Sequence, residues 1–321
     1  MIDVREASVP GQQDWNGVTF PLALACHSPE TTLDETRAWI AANSADLDRK
    51  AAKHGSILFR DFPVTSDLDF DAFIAAFGLP NFTYEDSLSN AVRTNRTERV
   101  FTANEAPPDV NIYLHHEMAQ TPIYPSKLFF FCEKAAEEGG ATPLCRSDIL
   151  FDRLKKETPQ FASDSETKGL LYSNTMPDDD NAASGQGRSW RSTFSVANRE
   201  EAEAAMRKLG YTWQWLDDGA LRATTPVMQA VRDLGDGRKS FFNQLIAAFK
   251  GWDDPARAIT FGDGSPLDAG AAEQATVIAD ELSFDVPWQT GDVALVDNFV
   301  AMHGRRAFSG TRRVLASLVA A

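Results

Sequence analysis

The chain has 321 residues with 43% hydrophobic and 10% aromatic content, enough for a sizeable core in one large domain or two ordinary ones. Its formal charge of −15 excludes the basic footprint of non-specific nucleic-acid or anionic-membrane binding. Three scattered cysteines (Cys26, Cys132 and Cys145) exclude a disulfide framework or a cysteine-rich zinc site.

The N-terminus lacks the basic-then-apolar layout of a signal peptide, and no apolar run approaches the roughly 18 residues of a membrane helix. A cytoplasmic protein with a small-molecule partner is expected, without nucleic acid or membrane and with homo-oligomerisation open. From Thr32 to Lys53 the pattern is helical, with Ile40, Leu47 and Ala51 on one face and Gly55 as the stop. Ser56–Arg60 reads as a short buried strand. Phe70, Phe73, Ile74 and Phe77 then follow helical spacing, started by Ser66 and ended by Gly78. Lys127–Cys132 is an aromatic-rich strand, Glu138-Gly139-Gly140 a turn, and Ala141–Leu144 extended again. A helix is predicted over 148–156. The polar stretch 163–191 reads as a long loop, of the kind that is usually functional or mobile. Asn198 and Glu201 form a capping box for a helix ended by Gly210, and 211–225 reads as a hairpin. Late strands follow at Val293–Val296 and Arg312–Leu318. Short strands with turn signals, and no Gly-rich phosphate loop, predict an all-β barrel or double-sheet core wearing helices outside.

Two of the five histidines stand together in Leu114-His115-His116-Glu117-Met118. On an extended chain His115 and Glu117 converge on one face while His116 points away. One imidazole and one carboxylate make two-thirds of a facial metal triad, and His303 is the obvious third ligand. Taken alone, His-x-Glu equally fits a strand-capping histidine and a surface glutamate. An open-faced iron site needs a co-substrate that chelates at one end and is anchored at its far carboxylate. Arginine suits that carboxylate, and Arg313 starts the last strand; Thr142 could add a hydrogen bond. Of Arg312 and Arg313, alternation lets only one face inward.

With these residues the chain resembles the TauD/TfdA-type iron(II)/2-oxoglutarate dioxygenases, most closely their clavaminate synthase-like branch. The resemblance runs from about residue 55 to the C-terminus. It is carried by Phe101–Pro108, His115–Gln120, Pro125–Phe130, Gly139–Pro143, Gly187–Trp190, Phe241–Asn243, Phe261–Gly264, Pro287-Trp288, Gly291-Asp292, Asp297-Asn298 and Arg312–Ser317. It implies an α+β chain with a double-stranded β-helix (jelly-roll) core, flanking helices and a long insertion. The expected layout is a single domain over 1–321, with an N-terminal α/β flank (1–100), a metal-bearing core (101–150 and 240–321) and an insertion (151–239). It implies Fe(II) on His115, Glu117 and His303, and 2-oxoglutarate on Arg313 with Thr142. Its reaction would use O2 to convert 2-oxoglutarate to succinate and CO2 while oxidising a substrate C–H bond.

A carboxylate at Glu117 argues against halogenation, since halogenating relatives carry a small residue there. Relatives with sulfonate substrates carry another arginine four residues past the 2-oxoglutarate arginine; counted from Arg313 that position is Ser317, which disfavours a taurine-like substrate. Substrate contacts are sought at Asn104, Glu105, Arg188, Arg191 and Asn243, where loop-structuring roles are as well supported. Trp190 and Phe194 fit either a pocket wall or core, and His116 a structural hydrogen bond. The expected reaction is hydroxylation of a small polar molecule such as an amino acid or derivative, with desaturation or cyclisation as the alternative. A zinc hydrolase would give no role to the arginine, and a non-catalytic binder would usually have lost a ligand.

Overall fold

The computed structural model describes all residues except 1, 84–86, 90–92, 104–105, 181–186, 253–254 and 321. Two sheets face one another. The larger has seven strands in the order Val4–Ala7, Leu22–Cys26, Ser56–Arg60, Val293–Asp297, Lys127–Lys134, Arg313–Val319, Phe101–Thr102. Its neighbours are antiparallel except for Leu22–Cys26 beside Ser56–Arg60, which run parallel. The smaller has four: Phe284–Asp285, Pro143–Arg146, Ala301–Arg305 and Ile112–His115.

The apolar runs in the central strands follow from burial of both sheet faces. In Lys127–Lys134, Leu128 and Phe130 point between the sheets, where they meet Leu144, Phe284 and Ala301. Phe129 and Phe131 point the other way, onto helices Leu33–His54 and Asp67–Ala75. There Phe70 stacks on Phe131 at 5.3 Å between ring centroids, and Phe77 meets Phe129 edge-on at 5.0 Å. Each such fully buried aromatic contributes about 1.5–3 kcal/mol through area removed from water. The first helix begins with a reciprocal cap: Glu35 N–H donates to Thr32 Oγ1 (3.2 Å) and Thr32 N–H to Glu35 Oε2 (2.9 Å). The outer face of the small sheet, carrying Leu114, Cys145 and Met302, is covered by helices Ser147–Glu157, Leu245–Gly251 and Ala269–Glu281.

One expectation is overturned. The stretch 163–191 is not one long loop: it contains the end of helix Pro159–Lys168, strand Leu170–Met176 and the start of helix Trp190–Phe194. That strand lies in a separate sheet with Thr212–Trp215, Leu221–Thr224 and Ile259–Phe261. The polar residues read as loop formers are cross-strand partners; Ser173 faces Thr224, their hydroxyls 2.7 Å apart. Tertiary pairing overrides local composition here. Among the described residues no helix is long and apolar enough to cross a membrane.

Candidate active site

Strands Ile112–His115 and Ala301–Arg305 are antiparallel neighbours, and their register sets His115 opposite His303. The two rings stand 4.4 Å apart between centroids. Glu117 follows two residues after His115, where the chain turns through Met118 in the left-handed region (φ 57°) and Thr121 N–H closes the turn onto the Met118 carbonyl. One donor atom from each of His115, Glu117 and His303 lies within 4.8 Å of the others. His116 points away as alternation requires, fully buried between the Asn298 carbonyl (2.5 Å) and Ser147 Oγ (2.9 Å).

Asn298 fixes Glu117 by its main chain. Its Oδ1 accepts the Glu117 N–H (2.8 Å) and its Nδ2 donates to the Glu117 carbonyl (3.0 Å) and to that of Pro125 (2.8 Å). The close approach of the two histidine strands depends on Gly304, since a Cβ there would sit 2.4 Å from the Ile112 carbonyl oxygen. Backbone cannot rotate aside as a side chain can. Gly304→Ala is therefore expected to cost about 1–3 kcal/mol of stability and, by parting His115 from His303, to weaken Co(II) binding measured by its visible spectrum. Unchanged Co(II) affinity would refute this coupling.

The electrostatics suit a cation. Burial, helped by the neighbouring His303, lowers His115 to about 4, so its imidazole is neutral at neutral pH. Its Nδ1 lies 2.7 Å from the Tyr113 carbonyl; donating there leaves the Nε2 lone pair free. Burial alone would raise the Glu117 carboxyl, but Arg93 and then His303 override it and hold it well below the usual carboxylate range. Arg93 donates to Glu117 Oε1 at 2.9 Å, while Glu117 Oε2 is 3.5 Å from His303 Nε2.

The triad opens onto a cavity of about 540 Å³. At one end stands Arg312, whose Nε donates to the Gly140 carbonyl (2.7 Å) and whose Nη2 reaches Thr142 Oγ1 (3.4 Å). Trp288 Nε1 donates to the same hydroxyl at 3.0 Å. Burial, and next Arg305, lower the Arg312 guanidinium to about 10. Among the described residues it has no carboxylate partner, so the fold maintains a desolvated cation there. The Gly139-Gly140 turn makes room, because a Cβ on Gly140 would lie 2.9 Å from Arg312 Cδ.

Arg313, the residue expected at that position, lies on the opposite face. Its side chain is 54% exposed and its Nε donates to Glu133 Oε2 at 2.6 Å. Alternation along the last strand puts Arg312, Val314 and Ala316 on the cavity wall. The position four residues past Arg312 is therefore Ala316, not Ser317, and it too lacks the second arginine of sulfonate oxidisers.

The substrate candidates fare differently. Arg188 is buried away from the cavity and donates to the carbonyls of Ser87 (2.6 Å), Ser89 (3.2 Å) and Ser192 (2.6 Å). Arg191 pairs with Asp178 at 2.9 Å and stacks on Trp190. Asn243 is fully buried, donating to the Ala230 carbonyl and accepting from Leu245 N–H, both at 2.9 Å. These three hold backbone and loops together, which satisfies their polar groups without a ligand. Asn104 and Glu105 lie outside the described residues. Trp190 belongs to the core of the added sheet. Arg305, beside the triad, donates to the carbonyls of Ala106 (2.8 Å), Pro107 (2.6 Å) and Val110 (2.7 Å), clamping the loop at the cavity mouth.

The sequence pattern described as taurine catabolism dioxygenase TauD, TfdA family, matches residues 19–319. The chain belongs to the TauD/TfdA family. A clavaminate synthase-like protein of Arabidopsis thaliana is 39% identical over 98% of this chain and 97% of its own length. The dapdiamide synthesis protein DdaC of Enterobacter agglomerans is 28% identical, covering 85% and 84%. The solved structure of PvcB, described as an Fe, alpha-ketoglutarate-dependent oxygenase from an isonitrile synthetic pathway, superposes with a TM-score of 0.54 at 12% identity, covering 99% and 91%. That of AAD-2 in complex with Mn(II) and N-oxalylglycine gives 0.52 at 15% identity, covering 100% and 97%. At such identities these two similarities carry the fold alone.

This TauD/TfdA protein is a 2-oxoglutarate-dependent non-haem iron dioxygenase. Its residues fit the metal: two imidazoles, that of His115 neutral, and one ionised carboxylate converge on one side of a cavity, leaving the other side open. The spacing of Glu117 and His303 exceeds a good hydrogen bond, as suits two donors that face a common centre rather than each other.

Proposed function

We propose that the protein hydroxylates a small polar molecule, an amino acid or a derivative of one, while 2-oxoglutarate and O2 are converted to succinate and CO2. In this reading the two facing sheets are the halves of a jelly roll. His115, Glu117 and His303 hold Fe(II), and Arg312, with Thr142, takes the far carboxylate of 2-oxoglutarate. The observation that carries it is one cavity lined by both the triad and a buried arginine that, among the described residues, has no carboxylate of its own.

When bound, iron and 2-oxoglutarate together supply the oxidising power; the chain supplies placement and shielding. Asn298 fixes the Glu117 main chain, Tyr113 fixes the His115 ring through its carbonyl, and Arg305 holds the 106–110 loop across the mouth. Thr142 Oγ1 already accepts from Trp288 and lies within reach of Arg312, so its own proton is available to the carboxylate.

Anaerobic titration with Fe(II) and 2-oxoglutarate tests this reading. Wild type is expected to show the visible charge-transfer band of a keto acid chelated to iron, and His115→Ala to show none. The absence of a band from fully reconstituted wild type would sink it.

A further inference from the structure

One buried cation in the cavity has no task in the scheme above. Arg93 is 8% exposed, lines the cavity on the Glu117 side, and lies with its guanidinium carbon 5.1 Å from the centre of the Phe101 ring. Its Nη2 donates to Glu117 Oε1, but its Nε is buried with no partner among the described residues. An arginine held this dry is stable only with a full counter-charge. In the metal-free chain Glu117 supplies it. Once Glu117 is committed to iron, the charges must be counted again. Fe(II) carries two positive charges and Arg312 one; Glu117 carries one negative and 2-oxoglutarate two. That group is neutral without Arg93.

No other carboxylate on the cavity wall serves Arg93 among the described residues. Asp109 is the only one besides Glu117, and its charge acts on Arg305. Lys250, at the rim, is paired with Glu273 at 3.0 Å. The loaded site therefore keeps one uncompensated buried positive charge beside the position a substrate must occupy. Three residues past Glu117, Gln120 lines the same cavity, buried, with its Oε1 lacking any donor. An unfilled donor and an unfilled acceptor on side chains that line one cavity describe the complement of a ligand.

We propose that Arg93 anchors a carboxylate of the primary substrate and that Gln120 Oε1 accepts an N–H from the same molecule. The substrate is thus an α-amino acid, free or N-acylated. This rests on the iron and 2-oxoglutarate reading above and adds the substrate's charge to it. It also replaces the missing second arginine on the last strand, where Ala316 leaves the wall apolar.

The test uses the full chain saturated with Mn(II) and 2-oxoglutarate, and calorimetric binding of the common L-amino acids and their N-acetyl forms, each beside its primary amide. The best acid is expected to bind at least about tenfold more tightly than its amide, a difference of about 1.4 kcal/mol. Arg93→Gln should bring acid and amide within about twofold, and Arg93→Lys, which keeps the charge without the fork, should retain part of the preference. Gln120→Leu should weaken N–H-bearing acids and spare their des-amino analogues. If Arg93 only braces Glu117, Arg93→Gln weakens Mn(II) and leaves the acid-to-amide ratio unchanged, which overturns the proposal. A panel in which no acid binds, or in which amides bind equally, also overturns it. Loss of the iron–2-oxoglutarate band in wild type would instead strike the parent reading, so the two failures are separable.

Discussion

Replacing Arg312 with alanine is expected to raise the 2-oxoglutarate concentration needed for half-maximal turnover about a hundredfold, whereas Arg313→Ala shifts it by no more than about twofold. The contrast follows from the two environments. Arg312 is desolvated, lowered to about 10 by burial and then by Arg305, and among the described residues its hydrogen bonds go to the Gly140 carbonyl and the Thr142 hydroxyl. A dicarboxylate that supplies its missing anion gains charge-assisted bonds in a dry site, and removing one partner of such a pair costs about 2–5 kcal/mol. Arg313 sits in solvent against Glu133, and exposed pairs of that kind are worth about 0–1 kcal/mol. Arg312→Lys should fall between, because a point charge cannot reproduce the planar fork. Succinate formation across a 2-oxoglutarate series measures all three. A large effect at Arg313 with a small one at Arg312 would reverse the assignment.

Glu117→Ala should abolish turnover and, separately, destabilise the metal-free protein by about 3–5 kcal/mol. The first effect removes the one anionic donor of the triad; even outer partners of metal ligands typically cost about 10–100-fold in affinity. The second has a different origin. Without Glu117, Arg93 is left as a largely buried cation that has lost its carboxylate. Adding Arg93→Met removes the stranded charge, so the double variant should recover most of the lost stability and none of the activity. Urea unfolding with metal chelated reads stability; succinate release reads turnover. A double variant no more stable than Glu117→Ala would show that the loss came from packing instead.

Much of the site could be read from sequence because its geometry is local. Two residues of spacing put His115 and Glu117 on one side of an extended segment, and the same rule turned His116 into the core. The rule also stated that one of Arg312 and Arg313 faces inward. Which one is decided by the phase of the last strand: Val314 and Ala316, on the inner face, share the parity of Arg312, a signal present in the sequence. The pairing of that strand skips Glu133, a bulge that no local pattern announces. Arg93 carried no signal at all, lying in an irregular stretch and meeting Glu117 only through the tertiary fold. Arg188, Arg191 and Asn243 misled for the converse reason. Polar residues in loops bind ligands or hold backbone, and composition does not separate the two. Strand Leu170–Met176 was hidden because its outward residues are those that also favour turns.

The pairing that sets His115 against His303 joins strands far apart in the sequence, and Arg312 immediately precedes strand Arg313–Val319. A folding chain that has formed only its earlier strands can present His115 and Glu117 but neither His303 nor Arg312. The three side chains converge only once this long-range pairing has formed. A chain in which the pairing is lost leaves them apart and should bind metal weakly.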